Sequence, residues 1–326
     1  MNAKRFLSVV LCVVLLITLM PISAWAATVQ VDNPDDFKLA LDNAADGDVI
    51  KLTGDITYAV DITSPAISIR GKTITFDVGA FTLNVVNTSG QGLDVGAGGV
   101  VNLEKTTGAC NVTSQSNHSD CVYAHDGGKA TVTNAISTGI GSSGAGAIGT
   151  GSKITVTGAA QGSYSGVAAN NGGTVTVGSA AHPGSVTTTS WGCPGAEAIG
   201  GTITVFGDAQ GVLAGAYASN GGTITVYGDA QGVYHGVIAN DNSIITVTGK
   251  VTATDENGIY MQIDFEDKAP GDGLPGTGSD AGYLVYIGQY SGGSKVRVKD
   301  SSDAALLSLT VAGETLHEPF SSDTYA

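Results

Sequence analysis

Apolar and polar residues alternate one by one in short runs that return at near-regular intervals. Ile203-Thr204-Val205, Ile224-Thr225-Val226 and Ile245-Thr246-Val247 begin 21 residues apart, and matching runs begin at Ile154 and Val175. Weaker copies begin at Ile74, Val101 and Ala130, with steps of 24 to 29 residues. A period of two within each run is that of a strand, so Ile224 and Val226 face one way and Thr225 the other. One longer copy is almost exact: Gly201-Thr-Ile-Thr-Val-Phe-Gly-Asp-Ala-Gln-Gly211 recurs as Gly222-Thr-Ile-Thr-Val-Tyr-Gly-Asp-Ala-Gln-Gly232. The Gly-Asp-Ala-Gln-Gly segment reads as a turn, and a second short strand is expected around Val233 to Ala239.

Self-similarity at this period, with variable insertions, means stacked units that cannot bury their apolar side alone. A coil of 21 residues is too short for a strand plus a helix, and a propeller blade needs about 40. The pattern therefore predicts an all-β chain: a right-handed parallel β-helix of about 21 to 29 residues per coil. Ile203, Val205, Ile224, Val226, Ile245 and Val247 should be buried in one stack. Upstream, Asp32 or Asn33 can cap a helix opening at Pro34, with Phe37, Leu41 and Ala44 on one face. A short helix there would cap the open end of the solenoid and shield its edge.

The first residues set the compartment. Lys4 and Arg5 precede an apolar run from Phe6 to Met20. Pro21 and the small-x-small pattern Ala24-Trp25-Ala26 follow. This is the layout of a Sec signal peptide over 1–26, cleaved after Ala26, and it predicts a secreted or cell-surface protein. The mature chain has no further stretch long enough to span a bilayer. Losing Lys4 and Arg5 takes the formal charge from −15 to −17. That sign argues against nucleic acid as a partner, and a dilute acidic surface fits a monomer.

Phe37, Ala40-Leu41, Gly47-Asp48-Val49-Ile50 and Ile69-Arg70-Gly71-Lys72-Thr73-Ile74 together resemble the opening of the pectate-lyase-like β-helix superfamily. The resemblance covers about residues 28–262 and implies the fold. A Gly/Pro/Asp-rich linker is expected over 266–282 and a short β-hairpin segment over 283–304. Leu306-Leu307-Ser308-Leu309-Thr310-Val311, with Leu316, Pro319-Phe320 and Tyr325, resembles the start of a cadherin-like β-sandwich of bacterial surface proteins, incomplete over 305–326.

No complete catalytic site emerges from the residues, and a non-catalytic module is expected. Counting coils from a recurrent glycine places Asp94, Tyr123, Ile148, Ala168, Glu197, Tyr217, Ile238 and Tyr260 on one outward ladder. Asp94 and Glu197 are then four coils apart, near 20 Å, too far to cooperate. Arg70 and Arg297, His125 and His235 read as scattered surface residues. Asp208 and Asp229 repeat at one turn position and could share Ca²⁺, the one cofactor the sequence suggests; as solvated turn residues they need none. Asn171, Asn220 and Asp241 share a turn that Asn and Asp tolerate in left-handed backbone. Cys110 and Cys121 flank a polar segment and could close a disulfide, leaving Cys193 odd. Tyr123, Tyr217 and Tyr260, with Tyr164 and Tyr234 on a neighbouring face, could stack on sugar rings. The reading is a rigid adhesion or glycan-contact module facing a host or cell-surface ligand. A carbohydrate-active lyase or hydrolase is the first alternative, and a structural stalk the second.

Overall fold

The computed structural model describes residues 26–240 and 243–254, with backbone alone for Lys250 and Ala253 and for the strands Ile259–Phe265, Leu284–Tyr290, Lys295–Asp300, Leu306–Val311 and Glu314–Pro319. The chain is a right-handed parallel β-solenoid of about nine turns with one short helix. From Val49 to Asn240 each coil carries three strands rather than two. In the coil of the repeat, Ala214–Ser219 forms face 3, Thr223–Val226 face 1 and Ala230–Gly232 face 2.

The third strand hides in the Gly-Asp-Ala-Gln-Gly segment expected to be a turn. Ala209 and Ala230 point inward and are fully buried, and they pair in register with each other. A strand with one inward alanine leaves no visible apolar alternation, which is why the pattern concealed it.

The Ile-Thr-Val runs stack as expected. Ile203, Ile224 and Ile245 are partners on successive coils, as are Val205, Val226 and Val247, and none is more than 1% exposed. Face 3 is narrower inside, filled by alanines such as Ala147, Ala169, Ala198 and Ala218. Between faces 3 and 1 the chain turns through left-handed backbone, at φ 50° for Asn171 and 52° for Asn220. Asp241 lies outside the described residues.

Helix α1, Pro34–Asn43, is capped by Asn33, whose side chain accepts from the Asp36 amide. Phe37 is fully buried and packs edge-on against Tyr58 at 5.5 Å and tilted against Phe76 at 5.7 Å. Leu41 and Ala44 cover the same core from its rim. The expected hairpin over 283–304 is not one: Leu284–Tyr290 and Lys295–Asp300 pair in parallel with Ile244–Ala253 and Ile259–Phe265, extending the solenoid. Leu306–Val311 joins Leu284–Tyr290 in parallel and pairs antiparallel with Glu314–Pro319, and no cadherin-like sandwich is present among the described residues. The linker at 266–282 lies outside them.

Cys110, Cys121 and Cys193 are all free thiols, so Cys110 and Cys121 form no bridge. Cys110 sits in Ala109–Ser114, in register with the core residue Leu83, where it packs as a small apolar side chain. Burial pushes its pKa up to about 12, and the Cys121 thiol is raised by the same cause.

Candidate functional site

The outward ladder of face 3 runs Ser68, Asp94, Tyr123, Gly146, Ala168, Glu197, Tyr217, Ile238, Gln262. Gly146 and Gln262 replace the expected Ile148 and Tyr260. Gly144 holds the place that Gly166 holds one coil on, since Ala145 donates to the Gly166 carbonyl. Counting from Gly146 slipped the register by two residues, which keeps the face but moves the side chain along the strand. The side chain of Tyr260 lies outside the described residues.

The middle of this ladder is built around small residues. The Asp120 carboxylate, from the corner before Val122–His125, lies over Gly146 in the space a side chain there would occupy. It accepts from the Ser143 amide at 2.9 Å, and loss of solvent around it pushes its pKa up. Ala168 follows and is only 5% exposed although it faces outward, shaded by its neighbours. Glu197 comes next, 6% exposed, accepting from the Tyr164 hydroxyl at 3.2 Å. Burial raises the Glu197 pKa, the Tyr164 bond opposes that, and the charge of Asp120 adds to it. Tyr164 in turn is pushed up to about 12, first by burial and then by Glu197. Gly146 and Glu197 are two strand steps apart, roughly 10 Å.

Aromatic rings stand along this stretch of the ladder. Tyr123 stands at one end, half-buried, and stacks on His125 at 5.1 Å. Tyr217 stands beside Glu197 at the other, its hydroxyl 3.4 Å from Asn240 Nδ2. Along the corner between faces 2 and 3, Tyr164 is exposed, and Trp191, 81% exposed, meets the edge of Tyr234 at 5.4 Å. The sequence gives no periodic signal for Trp191, because it sits in a corner of variable length.

At the N-terminal end of the ladder Arg70, Asp94 and His125 converge, with Asp126 beside His125. Arg70 Nη2 lies 2.5 Å from Asp94 Oδ2, and Asp94 is 4% exposed. Arg70 Nη1 is 3.1 Å from His125 Nε2, and His125 Nδ1 is 2.8 Å from Asp126 Oδ2. A guanidinium can only donate, so this geometry makes Nε2 an acceptor and puts the proton of a neutral ring on Nδ1. Asp94 Oδ1, 3.2 Å from the same Nε2, is then left without a hydrogen bond. Gly96 makes room for both side chains, since a Cβ there would strike Arg70 and His125.

Asp208 and Asp229 do repeat on adjacent coils, but Asp208 Oδ1 accepts from the Asp229 amide at 2.9 Å. Asp46 and Asp55 accept in the same way from the amides of Thr73 and Thr82, both at 2.7 Å, one coil on. Corner carboxylates at these places tie one coil to the next. Among the described residues no group of three or more His, Cys, Asp or Glu side chains could hold a metal ion, and no helix is long and apolar enough to cross a membrane. No family model, curated protein or solved structure matches the chain.

Proposed function

We propose that this chain is an exported, non-catalytic surface module that contacts a glycan along face 3. The observation that carries this reading is the row of rings on face 3, with Tyr123 and Tyr217 on the ladder and Tyr164, Trp191 and Tyr234 along its border. Aromatic rings along a rigid face can cover the apolar face of a sugar, while carboxylates beside them accept from its hydroxyls. A parallel solenoid makes such a platform rigid, because each strand is held on both sides. On this reading the fold is of the pectate-lyase-like kind. A glycan array with the chain 27–326 tests it, with Tyr123→Ala, Tyr217→Ala and Trp191→Ala as controls. Binding that all three substitutions leave intact would remove this face from consideration.

A second reading, hydrolysis of the glycan, is favoured by one observation. Asp120 and Glu197 are two carboxylates on one face, both with raised pKa and roughly two strand steps apart. Pairs that work on glycosidic bonds are separated by about 5 to 9.5 Å, and one member must be protonated. Reducing-end release from neutral polysaccharides, lost in both Asp120→Asn and Glu197→Gln, would establish it over simple binding.

A further inference from the structure

Ala27 is the first residue after the expected leader cleavage, and its amide nitrogen lies 2.8 Å from Asp48 Oδ1. Asp48 is only 7% exposed, and its other oxygen accepts from the Ala45 amide at 2.8 Å. The Ala27 carbonyl accepts from Val49 at 2.8 Å, which fixes the residue against Val49–Leu52, the strand paired in register with Thr28–Val31. We propose that processing after Ala26 completes the cap, because the new α-ammonium of Ala27 forms an ion pair with Asp48.

The chemistry is a peptide hydrolysis by a leader peptidase. Water breaks the bond between the Ala26 carbonyl carbon and the Ala27 nitrogen. Its oxygen goes to Ala26 and a hydrogen to the nitrogen, which takes up a further proton from solvent. A neutral N–H donor already bonded to a buried carboxylate thus becomes a charged one without any movement. Charge-assisted bonds of this kind are roughly twice as strong as neutral ones.

The surroundings leave that role open. Lys72, whose charge also favours the ionised Asp48, donates to the Ala44 carbonyl at 2.8 Å and makes no ion pair with Asp48. Lys51 pairs with Asp77 at 3.0 Å, and Asp46 accepts from the Thr73 amide. Asp36, beside Asp48 in a cavity of about 450 Å³ under α1, is bonded to the Asn33 side chain at 2.7 Å. The Asp48 carboxyl is held below its usual range by the Ala27 and Ala45 amides, which keeps it charged for the incoming ammonium.

The pair makes the cap sensitive to pH at both ends. An α-ammonium held by a carboxylate titrates above its usual range of about 7.7–8.0, so its contribution is whole below that range and fades as pH rises through the raised value. Asp48 titrates low, so the same contribution fades as pH falls through the depressed value.

The test starts from the export reading on which this inference rests. Intact mass of the chain exported by a bacterial host should place the N-terminus at Ala27. The mature chain is then compared with one carrying a single extra Ser before Ala27, each with and without Asp48→Asn. The native terminus should melt on the order of 2–5 °C higher near pH 6.5, and Asp48→Asn should erase the difference. If Asp48→Asn does not fold, the α-amine pKa from pH-dependent acylation of the native and urea-unfolded mature chain decides instead, and it should be higher in the native one. An uncleaved chain, or one cut elsewhere, sinks both the leader reading and the ion pair. Cleavage at Ala27 with equal melting points and an ordinary amine pKa overturns the ion pair alone.

Discussion

The carboxylate of Asp120 occupies the space a side chain at position 146 would fill, and position 146 is glycine. The missing Cβ lets a carboxylate from the preceding corner lie on the ladder itself. Gly146→Ala should push Asp120 off the ladder with little damage elsewhere, because the atom in the way is the end of a side chain. The stability loss should be about 1 kcal/mol, within the range for mild overpacking. Binding to a positive array glycan should fall as far as it does in Asp120→Asn. Unchanged binding by calorimetry in Gly146→Ala would show that Asp120 plays no part there.

Glu197 is a buried carboxylate held mainly against desolvation, so its charge works against folding. A folded pKa raised above the unfolded one means the penalty is present at neutral pH and relieved as pH falls through the raised value. Glu197→Gln keeps an acceptor for the Tyr164 hydroxyl and removes the charge. Its melting point should exceed that of the parent chain at pH 7, by the equivalent of about 1 kcal/mol, and the gap should close near pH 4. A gain in stability with a loss of glycan binding would mark Glu197 as kept for function rather than for the fold.

Polyuronides should not be cleaved, with or without calcium. The middle of the ladder holds Asp120 and Glu197 with no ion pair to either among the described residues, and Arg70 is engaged by Asp94. An anionic sugar chain would meet carboxylates there rather than bases. Calcium at Asp208 and Asp229 would have to compete with the amide bond already made by Asp208, so a chelator should move the melting point by less than about 1 °C. Release of an unsaturated product absorbing in the near ultraviolet would defeat this expectation.

The three thiols should separate by reactivity. Cys110 and Cys121 are buried with raised pKa, and a thiolate is the reactive form, so both should resist a disulfide-exchange reagent until the chain unfolds. Cys193, on the corner beside Trp191 and only partly covered, should react first. Mass mapping of alkylated native protein distinguishes this from a Cys110–Cys121 bridge, in which neither would label even after denaturation without reductant.

The residues differ in how legible they were. Ile203, Ile224 and Ile245 declare their stack because β-branched residues alternate with threonine at a fixed step, and burial repeats with the period. Face 2 escaped because Ala209 and Ala230 are single small residues between glycines. The ladder was mostly readable, since Asp94, Glu197 and Tyr217 sit two residues after a recurrent glycine and Tyr123 sits two after Cys121, which holds the same place. Asp120 was not, because its role depends on a corner folding back over Gly146; two glycines at 144 and 146 were the only trace. Arg70, Asp94 and His125 lie 24 and 31 residues apart in sequence, and only the face-3 register brings them to one point.

A solenoid's stability is approximately a sum over neighbouring coils, so damage in a middle coil should divide it rather than fray one end. Val226 is fully buried between Val205 and Val247, with Ile224 beside it in the same strand. Val226→Asp would put a carboxylate where every lateral neighbour is aliphatic and no donor is free to meet it. The cost should be about 3–5 kcal/mol, the range for an unpaired buried charge, and it should fall on both adjoining interfaces. Limited proteolysis should then open the chain near Tyr227, which is half exposed at its corner, and leave a folded N-terminal fragment from Val49 to about Val177. Thr225→Asp, one residue away and facing outward, should change stability by no more than about 0.5 kcal/mol. If the two variants melt together and yield the same fragments, the coils are not behaving as separate nearest-neighbour units. The partition of this strand into inner and outer faces would then fail as well, and with it the register that places Glu197 beside Tyr217.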